Sequence, residues 1–434
     1  MEPTSIKIIK QLKAAGHEAY WAGGCVRDIL MGIKPKDYDI VTSAKPDEIE
    51  DILEKTIPIG KEFGVILALQ DGHEYEVATF RSDSGYSDGR RPDAVEFTNI
   101  EEDAKRRDFT INAMYYDPLE DKVLDFQGGQ KDIEAGLVRF VGDPETRVLE
   151  DHLRVLRAVR FKNTFDFQYH PDTYKAVKKH ADKINGIANE RIQNELNKMI
   201  IDKKRAEAFE DMEDLGLLQI LLPEIQAMKG LAQPADYHKE GDVFDHTMQA
   251  IASIPEGEPL SIYWAVLLHD VGKINTFTLE ERIRFDGHAE ESKVLSAEIL
   301  KRLRFGKTFI KKIQWLVEHH MSVFNVLDMP KATRMKWFLK PYFLELLDLN
   351  KYDILGTTPS DLSTHDEVYN LYHKEVSELP DELPKLLSGE DIMKEKGIKP
   401  GPEIGMILEE LEDLQLEGEI STRQQALEWL QSLG

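Results

Sequence analysis

Two aspartates set two residues apart, Asp37 and Asp39 in KPKDYDIVTS, are the first side chains along the chain whose types and spacing suggest chemistry. On a strand, residues two apart face the same side, so the pair would offer its carboxylate oxygens to hard divalent cations such as Mg²⁺. A third carboxylate is expected from a neighbouring strand. HEYEVATFR supplies two candidates on one strand face, Glu74 and Glu76, and the spacing does not choose between them. Upstream, Gly23 and Gly24 place no Cβ between backbone and ligand, and amides entering a helix that carries Arg27 would face phosphate oxygens. A triphosphate cradle beside two cations suits nucleotidyl transfer: one ion acidifies the attacking hydroxyl and the other stabilises departing pyrophosphate. An isolated Asp-x-Asp usually marks a turn or a solvated strand end; the adjoining Gly-Gly-x-x-Arg sets this one apart.

EDHLRVLRAVRF offers a different kind of site. Read as one helix, it aligns Asp151, Arg154 and Arg157 on a face, with Glu150 and Arg154 as an i,i+4 ion pair of favourable orientation. The plain reading is a solvated, salt-bridged face, but a carboxylate beside a guanidinium fork also matches the Watson–Crick edge of a base. A third constellation lies further on. His246, the pair His269 and Asp270, and Asp353 follow the His, His-Asp, Asp order of HD phosphohydrolases, which they resemble, and would coordinate a divalent transition metal. His288 and either His319 or His320 would complete a second site or contact a phosphate, as would Lys273. Histidine and aspartate are costly to bury without partners, which favours a ligand cluster over coincidence.

The elements that must position these residues divide the chain. EAYWAGG, DYDIVTS, GVILALQ and EYEVATF are short β-branched or aromatic runs broken by Gly, Asp and Pro, so the first 140 or so residues read as mixed α/β. From about residue 146, apolar residues recur at helical spacing and the remainder reads as helical. The expected class is α+β, with a mixed-sheet domain over 1–145, helical segments over 146–205 and 206–360, and a helical tail over 361–434. At 434 residues and 41% apolar composition the chain can bury several cores. No run approaches the roughly 18–20 apolar residues that span a bilayer, which predicts a protein free of the membrane and cytoplasmic. The single cysteine, Cys25, excludes an intrachain disulfide and a Cys-rich zinc site. A net charge of −25 argues against diffuse nucleic-acid affinity, yet residues 146–205 hold fourteen Lys and Arg against eight Asp and Glu, a candidate phosphate-binding stripe.

GGCVRDILMGIKPKDYDIVTS resembles the first motif of class II tRNA nucleotidyltransferases, which share the DNA polymerase β-type catalytic fold with bacterial poly(A) polymerases. Further motifs follow in the family's order. The resemblance selects Glu76 as the third catalytic carboxylate, beside Asp37 and Asp39. KRRDFTINAM resembles the second motif, implying that Arg107 and Asp108 contact the ribose, with Asn112 in the same nucleotide-binding segment. DFQGGQKDI, with Asp125, Gly128, Gly129 and Asp132, resembles a hinge between head and neck. EDHLRVLRAVRF resembles the fourth motif: Asp151 and Arg154 would serve as a protein template for the base, Glu150 would orient Arg154, and Arg157 and Arg160 belong to the same set. ANERIQNELNKMI resembles a helix supporting it.

Other segments bear on substrate choice. RSDSGYSDGRRPDAVEF resembles the flexible loop of enzymes that add the terminal A, and IGKEFGVILAL resembles the Gly-x-x-Phe-Gly strand of the tRNA enzymes, without the basic run of poly(A) polymerases. The tail from Ser388, with Gly401 and Pro402 opening a helix, resembles the segment that reaches the tRNA elbow; Lys394, Lys396 and Lys399 are its candidate phosphate contacts. The implied function is template-independent addition of CCA to tRNA from CTP and ATP with two Mg²⁺ ions, by a monomer or homodimer. Two rival readings are addition of only the terminal A to tRNA ending in CC, and an HD phosphohydrolase acting on RNA ends or nucleotides, with the head as an RNA-binding module.

Overall fold

The computed structural model describes residues 2–86, 94–234, 239–377 and 383–433. The chain divides into two compact units, Met1–Gln226 and Ala227–Gly434.

The first unit is built on strands β1 (Ala19–Ala22), β2 (Ile40–Thr42), β3 (Thr56–Gly60), β4 (Val65–Gln70), β5 (His73–Thr79), β8 (Met114–Asp117) and β9 (Lys122–Asp125), ordered β3-β4-β5-β2-β1-β8-β9. A separate hairpin pairs β6 (Arg81–Ser84) with β7 (Ala94–Phe97). Within the seven-stranded sheet every pairing is antiparallel except β2 with β5, which run parallel with Ile40 beside Val77. Parity explains the faces. Trp21, Ile40, Tyr75 and Val77 point into one core, where helix α1 (Glu2–Ala14) brings Ile8, Ile9 and Leu12 at helical spacing. Ala22, Val41 and Ala78 point the other way, under helix α4 (Ile100–Lys105). Helices α2 (Gly24–Leu30) and α3 (Pro46–Ile52) lie between these in sequence, and α5 (Gly129–Glu134) follows the sheet.

The expected hinge segment is tightly organised. Asp125 accepts hydrogen bonds from the amides of Gln127, Gly128, Gly129 and Gln130, at 2.8–3.2 Å. A Cβ on Gly129 would fall 2.3 Å from the Thr110 carbonyl, so only glycine fits there. Beyond it run α6 (Pro144–Glu150), α7 (Arg154–Thr164), α8 (Pro171–Lys179) and α9 (Asn189–Ile200). Two small additions escaped the periodicity, the two-residue strand pairs Leu137–Val138 with Gln168–Tyr169, which joins the end of the first segment to the second, and Thr278–Leu279 with Ile283–Arg284.

The second unit is helical around a largely apolar helix, Leu260–Leu268, whose residues from Ser261 onward are all buried. Its last part has a core of its own, with Leu387, Ile392, Leu411, Ala426 and Leu430 at the centre, and Gly401 and Pro402 open a sixteen-residue helix as expected. No helix among the described residues is long and apolar enough to cross a membrane.

Candidate active site and metal cluster

Asp37 and Asp39 do not lie on the strand itself. They occupy the extended lead-in to β2, because β1 ends at Ala22 and offers only one further bond, its amide donating to the Asp39 carbonyl at 3.0 Å. The alternation expected of a strand nevertheless persists: Tyr38 and Ile40 are buried, and the two aspartates face out. Stepping the β2–β5 register back from Ile40 and Val77 sets Glu76 beside Asp39, while Glu74 sits two residues nearer the β4–β5 turn. Desolvation within the cleft raises the Asp39 carboxyl to about 6, with Asp37 and then Glu76 adding to the rise and Arg107 opposing it. Crowded carboxylates whose charges penalise one another are a donor set that divalent cations relieve, and an all-oxygen set suits Mg²⁺.

Gly23 adopts φ +73°, and a Cβ there would stand 3.0 Å from Arg107 Nη1. The neighbouring Arg27 is buried and each of its three nitrogens donates once: Nη1 to Asn112 Oδ1 at 2.6 Å, Nε and Nη2 to Asp28, while the guanidinium lies over Phe165 at 4.3 Å. Arg107 donates to Asp103 (3.2 Å), to the Tyr115 hydroxyl and to the Asn112 carbonyl. Asp103 is completely buried; burial alone would raise its carboxyl, but Arg107 and Arg106 override it and hold it at about 2. Asp108 behaves alike. Burial is overridden by Arg157 and Arg154, giving about 2, and its oxygens accept from Arg157 Nε (2.8 Å) and from the Asn112 amide (3.1 Å).

EDHLRVLRAVRF is not one helix. α6 stops at Glu150, Asp151 is extended, and α7 restarts at Arg154, so Asp151, Arg154 and Arg157 do not share one helical face. Tertiary bonds hold the break. Arg191 of α9 donates to both Asp151 oxygens, at 3.1 and 2.9 Å, and Asp151 accepts from the Leu153 amide. The Glu150–Arg154 pair does form, at 2.7 Å, and Arg154 also donates to the carbonyls of Arg147 and Arg106. Arg157 turns to Asp108 instead, and Arg160 pairs with Glu195 of α9 at 2.6 Å. Apart from Glu76 and Glu150, every residue expected to be catalytic or nucleotide-binding lines one cleft of about 460 Å³, joined there by Arg106 and Phe161, whereas the hinge residues Asp125, Gly128, Gly129 and Asp132 do not. Sequence reasoning missed Asp103, Arg191 and Glu195. Asp103 stands three and four residues before Arg106 and Arg107, a local spacing that signals the pairs, whereas Arg191 and Glu195 pair across distant segments, which spacing along the chain does not carry.

Of the loop RSDSGYSDGRRPDAVEF, Arg81–Ser84 and Ala94–Phe97 form the β6–β7 hairpin. Residues 87–93, with both of its central arginines, lie outside the described residues.

In the second unit, His246, His269 and Asp353 converge: Asp353 Oδ1 lies 3.0 Å from His246 Nε2 and 3.3 Å from His269 Nε2. Asp270 Oδ2 stands 3.3 Å from His269 Nε2. Burial works against the charge on both aspartates, and His269 overrides it, holding each carboxyl well below the usual range. Of the two alternatives left open, His320 joins the cluster, 3.2 Å from His288, whereas His319 packs on the rings of Trp315 and Trp337. Lys273 donates to Asp270 (2.7 Å) and to Gln233 (2.8 Å). His and carboxylate donors together suit a borderline divalent transition metal.

A carboxylate edge of a mixed sheet, opening into a guanidinium-lined cleft, is the arrangement of a nucleotidyltransferase. The chain matches the family models "Poly A polymerase head domain" over residues 19–139, "Probable RNA and SrmB- binding site of polymerase A" over 166–229 and "HD domain" over 243–345. It is 32% identical over 417 residues to the CCA-adding enzyme of Ligilactobacillus salivarius, covering 94% of this chain and 90% of that one. It is 38% identical over 276 residues to that of Bacillus subtilis, covering 63% and 66%. A solved Bacillus stearothermophilus CCA-adding enzyme in complex with CTP superposes with a TM-score of 0.72 at 25% identity, covering 99% of this chain and 96% of that one. The chain belongs to the CCA-adding enzyme family.

Proposed function

We propose that this chain adds C, C and A in turn to the 3′ end of tRNA, from CTP and ATP and without a nucleic-acid template. One observation carries the reading: Asp37 and Asp39, with Glu76 beside Asp39 in register, share a single cleft with Asp151 and Arg154, which can face a base edge. A relative similar over nearly the whole chain, named a CCA-adding enzyme, points to the substrates. Asp37, Asp39 and Glu76 would hold two Mg²⁺ ions, which supply acidification of the terminal hydroxyl and charge neutralisation on pyrophosphate. Gly23, Gly24 and Arg27 border the triphosphate, and Arg107, Asp108 and Asn112 the ribose. Asp151 accepts from the base amino group and Arg154 donates to its ring edge, with Glu150 fixing the fork of Arg154. Arg157 and Arg160 act by holding Asp108 and Glu195 in place. The 3′ oxygen bonds to the α-phosphorus as the bond to pyrophosphate breaks.

In the same reading the segments 1–145, 146–205, 206–360 and 361–434 serve as catalytic head, base-reading neck, HD body and tRNA-elbow tail of a cytoplasmic enzyme. The HD body holds a divalent transition metal at His246, His269, Asp270 and Asp353. Purified protein with Mg²⁺, labelled CTP and ATP, and transcripts ending in the discriminator base, C or CC should extend all three. Extension of the CC transcript alone would replace CCA addition with A addition. Asp37→Ala should abolish extension of every transcript; retained extension would remove the carboxylate assignment.

A further inference from the structure

Asp103 of α4 is completely buried and forms no part of the cleft wall, yet it binds two arginines, Arg106 and Arg107, that do. Its two oxygens serve them separately. Oδ1 accepts from Arg106 Nε at 2.9 Å, lies 2.8 Å from Arg106 Nη2 and also takes the Arg81 amide at 3.2 Å. Oδ2 accepts from Arg107 Nε at 3.3 Å and Nη2 at 3.2 Å, and from the Tyr115 hydroxyl at 2.7 Å. A carboxylate withdrawn from water persists only where its lone pairs are filled, and here cationic donors fill them on both sides. Burial opposes the charge, but Arg107 and Arg106 keep it, with the carboxyl at about 2.

The two sides of this carboxylate lead to different parts of the cleft. On the Oδ2 side Tyr115 is itself buried, its hydroxyl stands 3.2 Å from Arg107 Nε, and the guanidinium lies over its ring at 5.0 Å. Arg107 Nη1 donates to the Asn112 carbonyl at 3.3 Å. These bonds leave a hydrogen on each Nη for an oxygen in the cleft that Arg107 lines. On the Oδ1 side, Arg106 is gripped by its side chain while its carbonyl accepts from Arg154 Nη2 at 3.2 Å. The preceding carbonyl, that of Lys105, accepts from Arg147 Nη1 at 2.9 Å, and Arg147 and Arg154 both donate to Glu150. The end of α4 is therefore the rest against which the fork of Arg154 leans, and Asp103 fixes that end from three residues back.

We propose that Asp103 is a positioning residue that sets sugar choice through Arg107 and base choice through Arg106 and Arg154, so that one buried carboxylate governs both selections. The proposal rests on Arg107 bordering the ribose and Arg154 the base. A deoxynucleotide leaves donors aimed at a ribose hydroxyl unpaired, and it is rejected in proportion to how firmly those donors are held. The same holds at the base: a fork free to turn meets uracil as readily as cytosine, whose edges differ in hydrogen-bond pattern.

The test offers CTP, dCTP and UTP singly, with Mg²⁺, to the full chain and a transcript ending in the discriminator base, and reads kcat/KM for each. General damage lowers all three alike, so the ratios report positioning. Asp103→Asn keeps the shape but removes the charge and one acceptor, and should lower the preferences for CTP over dCTP and for CTP over UTP by about tenfold each. Tyr115→Phe loosens the Oδ2 side alone and should lower the sugar preference by about threefold with the base preference unchanged. Arg106→Lys loosens the Oδ1 side alone and should do the reverse. Both preferences intact in Asp103→Asn would overturn the proposal, and loss of one alone would overturn the shared control. Where Asp103→Asn does not fold, the two milder variants decide: separate losses uphold the proposal, and equal losses or none overturn it. Arg107→Lys and Arg154→Lys are the controls for the sugar and base contacts. A wild-type preference in either would overturn the nucleotide assignment beneath the proposal rather than the bonds of Asp103.

Discussion

Arg191→Ala is the perturbation that asks how the base-facing carboxylate is held. Asp151 sits in the extended break between α6 and α7, so helical hydrogen bonding does not fix it. Its side chain is held by two bonds from Arg191, at 3.1 and 2.9 Å. A bidentate charge-assisted pair contributes about 1.5–3 kcal/mol when shielded, and an exposed pair no more than about 1 kcal/mol. Both side chains are roughly one-fifth exposed, at 23% and 19%. That sets the loss of ordering near 1.5–2 kcal/mol, or about ten- to thirtyfold in kcat/KM for CTP and ATP. The rate alone would not distinguish positioning from general damage, so the decisive readout is discrimination. Each of the four nucleoside triphosphates is offered singly to transcripts ending in the discriminator base, C or CC. Incorporation of UTP and GTP relative to CTP should rise in Arg191→Ala and fall back in part in Arg191→Lys, which restores one donor. Wild-type discrimination in Arg191→Ala, whatever the overall rate, would refute the idea that Arg191 positions Asp151 for base reading.

Asp39→Asn should inactivate transfer while raising the melting temperature of the cation-free protein. The carboxyl of Asp39 stands near 6 in the fold against about 3.9 unfolded, so ionisation costs stability that is absent below about pH 4 and fully felt above about pH 6. Solvent contact cuts that cost to about 1 kcal/mol, or about 2–4 °C at pH 7.5 in EDTA, and the gain should vanish at pH 4. An equal gain at both pH values would show that the effect is not electrostatic. Gly23→Ala would force a side chain into φ +73° and to 3.0 Å from Arg107 Nη1. Strain of about 1–2 kcal/mol and a displaced Arg107 should lower kcat/KM for CTP at least tenfold; an unaffected kcat/KM would show that the close approach of Gly23 and Arg107 is incidental.

Much of the head was legible because its information is local. Alternation around Tyr38 and Ile40 places Asp37 and Asp39 on one side even though the strand proper begins one residue later. Glu74 and Glu76 have the same parity, so no local rule separates them; the parallel register of β2 with β5 does, and that register depends on a crossover through α3, β3 and β4. The break at Asp151 was hidden for a similar reason. EDHLRVLRAVRF contains no Gly or Pro and keeps its apolar spacing throughout, and what opens the helix is Arg191, forty residues on. His319 and His320 are neighbours that the sequence cannot rank; the ring of His320 is held inward by the hydrogen bond of its Nδ1 to the Val317 carbonyl, one turn back.

The same pairing explains how so acidic a chain can present a cleft rich in arginine. Arg27 meets Asp28, Arg107 meets Asp103, Arg154 meets Glu150, Arg157 meets Asp108, Arg160 meets Glu195 and Arg191 meets Asp151. Several lysines of the stripe over 146–205 are likewise matched: Lys178 by Asp214, Lys179 by Glu145 and Lys204 by Glu207. Paired guanidiniums project a weak field at long range, so they do little to gather polyanions from solution. They are instead oriented, with each partner using part of the fork and leaving the rest at a fixed angle to the cleft. Fixed donors and acceptors discriminate among base edges, which differ in hydrogen-bond pattern and scarcely at all in charge. A surplus of unpaired arginines would bind any nucleotide through its phosphates; a carboxylate partner for each arginine, its own or shared, shifts the balance from affinity toward selection, as a site that reads bases without a nucleic-acid template requires.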